Sequence, residues 1–171
     1  MDLTLELLSP EDEEQFILDN QAAFNYGAAL HFNEKELKEQ YEEEGQIISR
    51  ETISNSIHRK GSITYRIVVD DKKVGGIIIN INGEFGELEI FFVIPSMESK
   101  GIGQSSWKEI ERLHPKVKVW ETVTPYFEKR NIHFYVNKLG FHIVEFYKEF
   151  NKDIHMPEEL DGMFRFQKII K

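Results

Sequence analysis

Leu88-Glu89-Ile90-Phe91-Phe92-Val93-Ile94-Pro95-Ser96-Met97-Glu98-Ser99-Lys100-Gly101-Ile102-Gly103-Gln104-Ser105-Ser106-Trp107 decides the fold. It opens as an apolar, β-branched and aromatic run, which reads as a buried strand. Pro95 ends the strand, because it brings no N–H to a ladder. Ser96, Ser99, Gly101 and Gly103 follow closely, and then helical spacing begins. A strand, a Gly-rich turn and a helix together present main-chain N–H groups to an anion, and the helix dipole favours its charge. A Walker A loop is excluded, because Gly-x4-Gly-Lys-Ser/Thr is absent. The dinucleotide fingerprint needs a third glycine three residues after Gly103, and that position is Ser106.

Upstream, Phe85 to Ile94 reads as the third strand of a meander. Ser62 to Val69 and Val74 to Ile81 are its first two strands, joined by Asp70-Asp71-Lys72, and Asn82-Gly83 makes the next turn. Before these, Leu3 to Leu8 alternates as a strand. Ser9-Pro10-Glu11-Asp12 starts a helix, with Ser9 as its cap. The stripe of Phe16, Ile17, Ala23 and Phe24 carries that helix to about Tyr26, where Gly27 interrupts it. Asn33 caps a second helix that reaches Glu44 and ends at Gly45. A third covers Arg50 to Arg59. The acid run Glu42-Glu43-Glu44 reads as solvated surface.

Downstream, a helix from Gly103 to Leu113 stops at His114-Pro115. Val117 to Val123 is a strand, and Glu128 to Lys138 is a helix closed by Gly140. Phe141 to Phe150 and Met163 to Ile170 are the last strands, with a polar connection from Asn151 to Gly162 between them. A helix between the 85–94 and 117–123 strands makes those two parallel, through a right-handed crossover. The remaining strands pair antiparallel, so the sheet is mixed. No repeat or linker divides the chain, and residues 1–171 are read as one domain.

Composition narrows the function. A net charge of −9 argues against a nucleic-acid partner, which calls for a basic face. There is no cysteine, hence no disulfide frame, thiolate metal site or thiol nucleophile. The six histidines include no pair at i, i+4 on one helix and no His-Glu-x-x-His, so no metal is expected. No apolar run approaches the ~20 residues of a membrane span. The N-terminus lacks a basic segment followed by an apolar one, so a cytoplasmic protein is expected.

Glu98-Ser99-Lys100-Gly101-Ile102-Gly103, after a strand ending Val93-Ile94-Pro95, resembles the acyl-CoA loop of the GNAT superfamily of N-acetyltransferases. That loop runs Gln/Arg-x-x-Gly-x-Gly/Ala, and here Glu98 stands in its first position. The order of elements is similar to that superfamily along the whole chain. The resemblance implies an α/β fold (α+β by some schemes). It would have a mixed, mostly antiparallel central sheet of about seven strands flanked by helices, with the 85–94 and 117–123 strands splayed at a cofactor cleft. It implies acetyl-CoA as co-substrate and the primary amine of a small molecule or peptide as acceptor. Main-chain amides of Lys100, Gly101, Ile102, Gly103 and Gln104 would hold the diphosphate, with Glu98, Ser99 and Ser105 beside them. A bulge near Phe91, Phe92 and Val93 would turn main-chain groups toward the pantetheine arm.

Acetyl transfer to an amine needs a base to take a proton, a donor to the oxyanion, and an acid for the departing thiolate. Glu89 matches the position of a catalytic glutamate in some members of the superfamily and is the candidate base. Glu87, Glu121, His142 and a water chain stay open as alternatives. The segment from Arg130 to Phe141 resembles the superfamily's second CoA element, which makes Tyr135 the candidate acid and Asn131 a CoA contact. Tyr135 precedes Gly140 by five residues, where four is usual, a rotation of about 100° on a helix. Phe24, Tyr26, Phe32 and the polar end of the 117–123 strand are candidate substrate walls. The two terminal strands offer a route to a homodimer. An acyl-CoA sensor without turnover is the second reading, and a different nucleotide-binding α/β protein is the third.

Overall fold

A computed structural model describes residues 1–148 and 162–171. Among the described residues, seven strands form one sheet in the order β1-β2-β3-β4-β5-β7-β6. β1 (Leu3–Leu7), β2 (Ser62–Val69), β3 (Lys72–Asn82) and β4 (Phe85–Val93) pair antiparallel in sequence order. The β2–β3 turn places Asp70 and Asp71 at φ 49° and 66°. Two left-handed residues in succession match the twist of the flanking strands, and aspartate tolerates that conformation better than most side chains. β5 (Val119–Pro125) lies parallel to β4, and β7 (Met163–Ile169) runs antiparallel between β5 and β6 (His142–Tyr147).

The helices are α1 (Glu13–Ala29), α2 (Glu34–Gln40), α3 (Arg50–His58), α4 (Ile102–Leu113) and α5 (Lys129–His133). The isoleucine run of β3 divides between two cores, as period-two alternation requires. Ile77 and Ile79 join Trp107 of α4, Trp120, Phe141 and Phe166 on one face. Ile78 joins Phe16 and Ile17 of α1 and Ile53 of α3 on the other.

Several local expectations are corrected. Ser9 makes no side-chain cap; Pro10–Asp12 form a 3-10 turn, and α1 follows it. α1 runs through Gly27 to Ala29, because the burial of Ala28 and the packing beyond it outweigh the ~1 kcal/mol helix penalty of a glycine. α2 ends at Gln40 rather than Glu44, because the next acids serve α3 instead. Glu42 and Glu43 accept the Ser49 and Arg50 N–H groups at 2.9 and 3.1 Å, so they are not merely solvated. β5 starts at Val119 and reaches Pro125. β6 ends at Tyr147; the expected strand end at Phe150 and the connection 151–161 lie outside the described residues.

The β4 bulge also lies earlier than expected. Ile78 pairs with Ile90 while Ile79 pairs with Leu88, which leaves Glu89 as the extra residue. One inserted residue exchanges faces for everything after it. Leu88 therefore joins the α4-side core, whereas Ile90 and Phe92 join the α1-side core.

Candidate functional site

β4 and β5 pair at only three positions: Phe85 with Val119, Gly86 with Trp120, and Glu87 with Glu121. The strands then part, as expected where a bulge bends and twists one member of a pair. Ile94 N–H donates to the Val74 carbonyl at 2.8 Å. Antiparallel pairs alternate, so Ile90 and Phe92 likewise turn their main-chain groups to β3, while Phe91 and Val93 present theirs on the open side. An extended ligand finds an unpaired strand edge there, in mid-sheet.

Tyr135 stands at the vertex of the splay. Thr122 Oγ1 donates to the Leu88 carbonyl at 3.0 Å. Thr122 is also the side-chain hydrogen-bond partner of the Tyr135 hydroxyl. Burial pushes the Tyr135 phenol up to about 12; the Thr122 bond opposes that rise and the nearby Glu128 charge adds to it. The phenol thus keeps its proton throughout the neutral range.

The five-residue spacing is absorbed locally. Phe134–Lys138 form a π-helical turn, and Leu139 N–H reaches back five residues to the Phe134 carbonyl at 3.0 Å. The wider turn directs the Tyr135 ring inward against Phe166 and Phe141, at centroid distances of 5.4 and 5.9 Å.

After β4, Pro95–Met97 make a 3-10 turn, and Ser99 and Gly101 take φ of 62° and 78°. The first bond of α4 is Ser105 N–H to the Gly101 carbonyl at 3.1 Å, and no side chain caps the helix. The N–H groups of Ile102, Gly103 and Gln104 therefore lie ahead of the helical ladder. A side chain at Gly101 would meet nothing within 4 Å, so the approach to these amides is open. Unbonded amides at a helix start suit an anion.

Gly103 serves packing instead: a Cβ there would lie 2.8 Å from the Phe134 ring. Gln104 Nε2 donates to the Lys138 carbonyl at 3.1 Å and ties α4 to the π turn. Ile102 is buried in the core, Lys100 is exposed and Ser105 is half-buried. Glu98 pairs with Arg130 at 3.1 Å. Asn131 Nδ2 lies 3.5 Å from Thr124 Oγ1.

Among the carboxylates, Glu89 accepts from the Ser56 hydroxyl and from Arg59, both on the α3 side of the sheet. Two donors leave other lone-pair directions of the carboxylate free. Glu87 is exposed. Glu121 accepts from Arg165 and Gln167 at 2.6 and 3.1 Å. His142 is on β6, separated from β5 by β7, so it stands away from the splay. Phe32 packs on Phe127 at 4.8 Å, Phe24 packs against the α1-side core, and Tyr26 is exposed.

The sequence reading missed Glu128. It lies 3.4 Å from His31, at the far end of α1, and is largely buried. Burial raises its carboxyl above the usual range, while His31 and Arg130 oppose that rise. Thr122 and Arg130 entered the sequence reading only as members of segments, the polar end of the 117–123 strand and the start of the 130–141 element, with no role of their own.

Two shallow hollows of about 390 and 550 Å³ lie elsewhere, around Gly83 and Pro115. Among the described residues, no three His, Asp or Glu side chains are placed to hold a metal. No helix among them is long and apolar enough to cross a membrane.

The model of the acetyltransferase (GNAT) family matches residues 28–141, a span that contains the splay, the loop and Tyr135. The uncharacterized protein YrkN of Bacillus subtilis (strain 168) is 41% identical over 98% of this chain and 93% of its own length. The PaiA N-acetyltransferase of Thermoplasma acidophilum, solved with coenzyme A, superposes with a TM-score of 0.70 at 19% identity, over 99% of this chain and 100% of that one. The ribosomal-protein-S18-alanine N-acetyltransferase of Escherichia coli gives 0.73 at 13% identity, over 99% and 95%. Spermidine N-acetyltransferase of Vibrio cholerae, solved with CoA and spermine, gives 0.66 at 14% identity, over 98% and 95%. With its sheet parted between β4 and β5, this chain belongs to the GNAT acetyltransferase family.

Proposed function

We propose that the protein transfers the acetyl group of acetyl-CoA to the primary amine of a small molecule or peptide, by direct attack within a ternary complex. One observation carries the reading: a buried phenol stands where β4 and β5 part, beside an open strand edge and an uncapped helix start. The amides of Ile102, Gly103 and Gln104 hold the diphosphate, and Lys100 adds charge at their rim. Phe91 and Val93 bind the pantetheine arm through main-chain groups, as an added strand would be bound.

The amine's nitrogen lone pair forms the new C–N bond as the C–S bond breaks. Glu89, direct or through a water, takes the proton that the amine must shed. The Tyr135 hydroxyl donates to the sulfur as negative charge gathers on it. A phenol near 12 holds its proton more firmly than a thiol of ordinary pKa ~8.5, so Tyr135 stabilises the thiolate by a hydrogen bond more than by full transfer.

The engaged carboxylate of Glu89 favours one second reading, an acyl-CoA sensor with little turnover. The protein is mixed with acetyl-CoA and a panel of small amines and N-terminal peptides, and free thiol is followed. Amine-dependent thiol release supports the transferase. Tight CoA binding without release from any amine supports the sensor. Absence of CoA binding sinks both.

A further inference from the structure

We propose that Arg130, steered by Glu98, is the cation that meets the diphosphate of the bound acyl-CoA, an inference that rests on the reading above. An anion cradle with a carboxylate at its entrance is electrostatically self-defeating unless that charge is answered. Glu98 is that carboxylate, three residues ahead of Gly101. The answer comes from a different element. Arg130 of α5 reaches across and places Nη2 3.1 Å from Glu98 Oε2.

The geometry of this pair differs from a closed fork. Glu98 takes one N–H of Nη2, so the other guanidinium N–H groups stay available, and the second Nη2 N–H still forms a parallel pair with that of Nε or Nη1. The Arg130 side chain is 50% exposed, so those donors are open to an incoming ligand. A planar group with parallel donors suits two oxygens of one phosphate, which a lysine ammonium does not match. The other charges close in sequence are Lys100 on the loop, and Glu128 and Lys129 on the approach to α5. Lys100 alone would only cancel Glu98; Arg130 turns the entrance net positive. Glu98 is a positioning residue, because it holds the guanidinium over the loop and touches no phosphate.

Calorimetry with CoA and with dephospho-CoA tests this on the full chain. Arg130→Gln weakens both ligands equally, by about tenfold, the scale of a lost hydrogen bond to a charged group. Arg130→Lys loses about threefold, since charge survives and the fork does not. Lys129→Gln, which removes the same charge one residue away, changes either affinity less than twofold. Glu98→Gln weakens CoA about threefold when Arg130 is present and strengthens it in the Arg130→Gln background, where only repulsion remains. A passive surface ion pair gives no such reversal of sign. Arg130→Gln within twofold of the parent overturns the proposal. So does an equal effect of Lys129→Gln, or a loss confined to CoA, which would place Arg130 on the 3′-phosphate. If the parent itself binds no CoA, it is the acyl-CoA reading that fails.

Discussion

In the proposed reaction Tyr135 acts through one atom. Its ring is part of the aromatic core with Phe141 and Phe166, and only its hydroxyl reaches Thr122. Tyr135→Phe therefore removes the donor and keeps the packing. Turnover should fall about 100-fold, the usual scale for a positioned acid, with CoA affinity within twofold. Thiol-release kinetics beside calorimetry measure that split. Equal losses in both would make Tyr135 a packing residue. The opposite kind of residue is Glu128. Nothing in its neighbours along the chain marks it, because its carboxyl is raised by burial that exists only in the fold, beside His31, nearly a hundred positions earlier.

At the scale of elements, the start of α4 rests on the π turn through Gly103 and Phe134. Gly103→Ala should cost about 1–3 kcal/mol, as overpacking does. Phe134→Leu in that background should recover part of it by opening room. Gly101→Ala should cost about 1–2 kcal/mol through its left-handed φ, and Phe134→Leu should not relieve it. Urea denaturation of the four variants separates steric from torsional strain.

These elements also show what can be read along a chain. The strands and most helix starts were legible because turn and cap residues punctuate them: Asp70-Asp71, Asn33 and Gly101 each sit where local backbone chemistry alone puts them. The loop was legible for the same reason. The bulge at Glu89 was misplaced, because an extra residue is defined only against the partner strand. The π turn left one trace, a spacing off by one before Gly140. Periodicity assumes a constant turn and turns that trace into a misdirected side chain.

At the scale of the whole molecule, one buried cluster ties α1 to the sheet. Arg66 is 1% exposed beneath α1, bonded by Nε to Asp12 at 2.7 Å and by Nη2 to Asp19 at 3.0 Å, and it stacks over Phe16. Lys73 adds a second cation to Asp12 at 3.1 Å. Burial alone would raise the Asp12 carboxyl, but the bonds from Arg66 and Lys73 outweigh it and hold it below its usual value. A depressed folded pKa contributes stability above the unfolded value of ~3.9 and loses it as pH falls through the folded one. Asp12→Asn should therefore cost about 3 kcal/mol at pH 7, the range for breaking a buried pair, with Asp19 retaining part of the charge balance. That deficit should shrink below pH 4. Chemical denaturation across pH measures both, and a deficit independent of pH would contradict the assignment.

The parting of β4 from β5 has a consequence for solvent deuterium. Strand interiors normally surrender their amide protons last, and sheet margins first. Phe91 and Val93 sit in the fourth of seven strands, yet their N–H groups face an unzipped seam. They should exchange rapidly beside slow neighbours at Ile90 and Phe92, an alternation of fast and slow along a single central strand. Coenzyme A, bound as proposed, should quench the fast pair and leave the slow pair unchanged, so a mass spectrum alone would register the missing strand being filled.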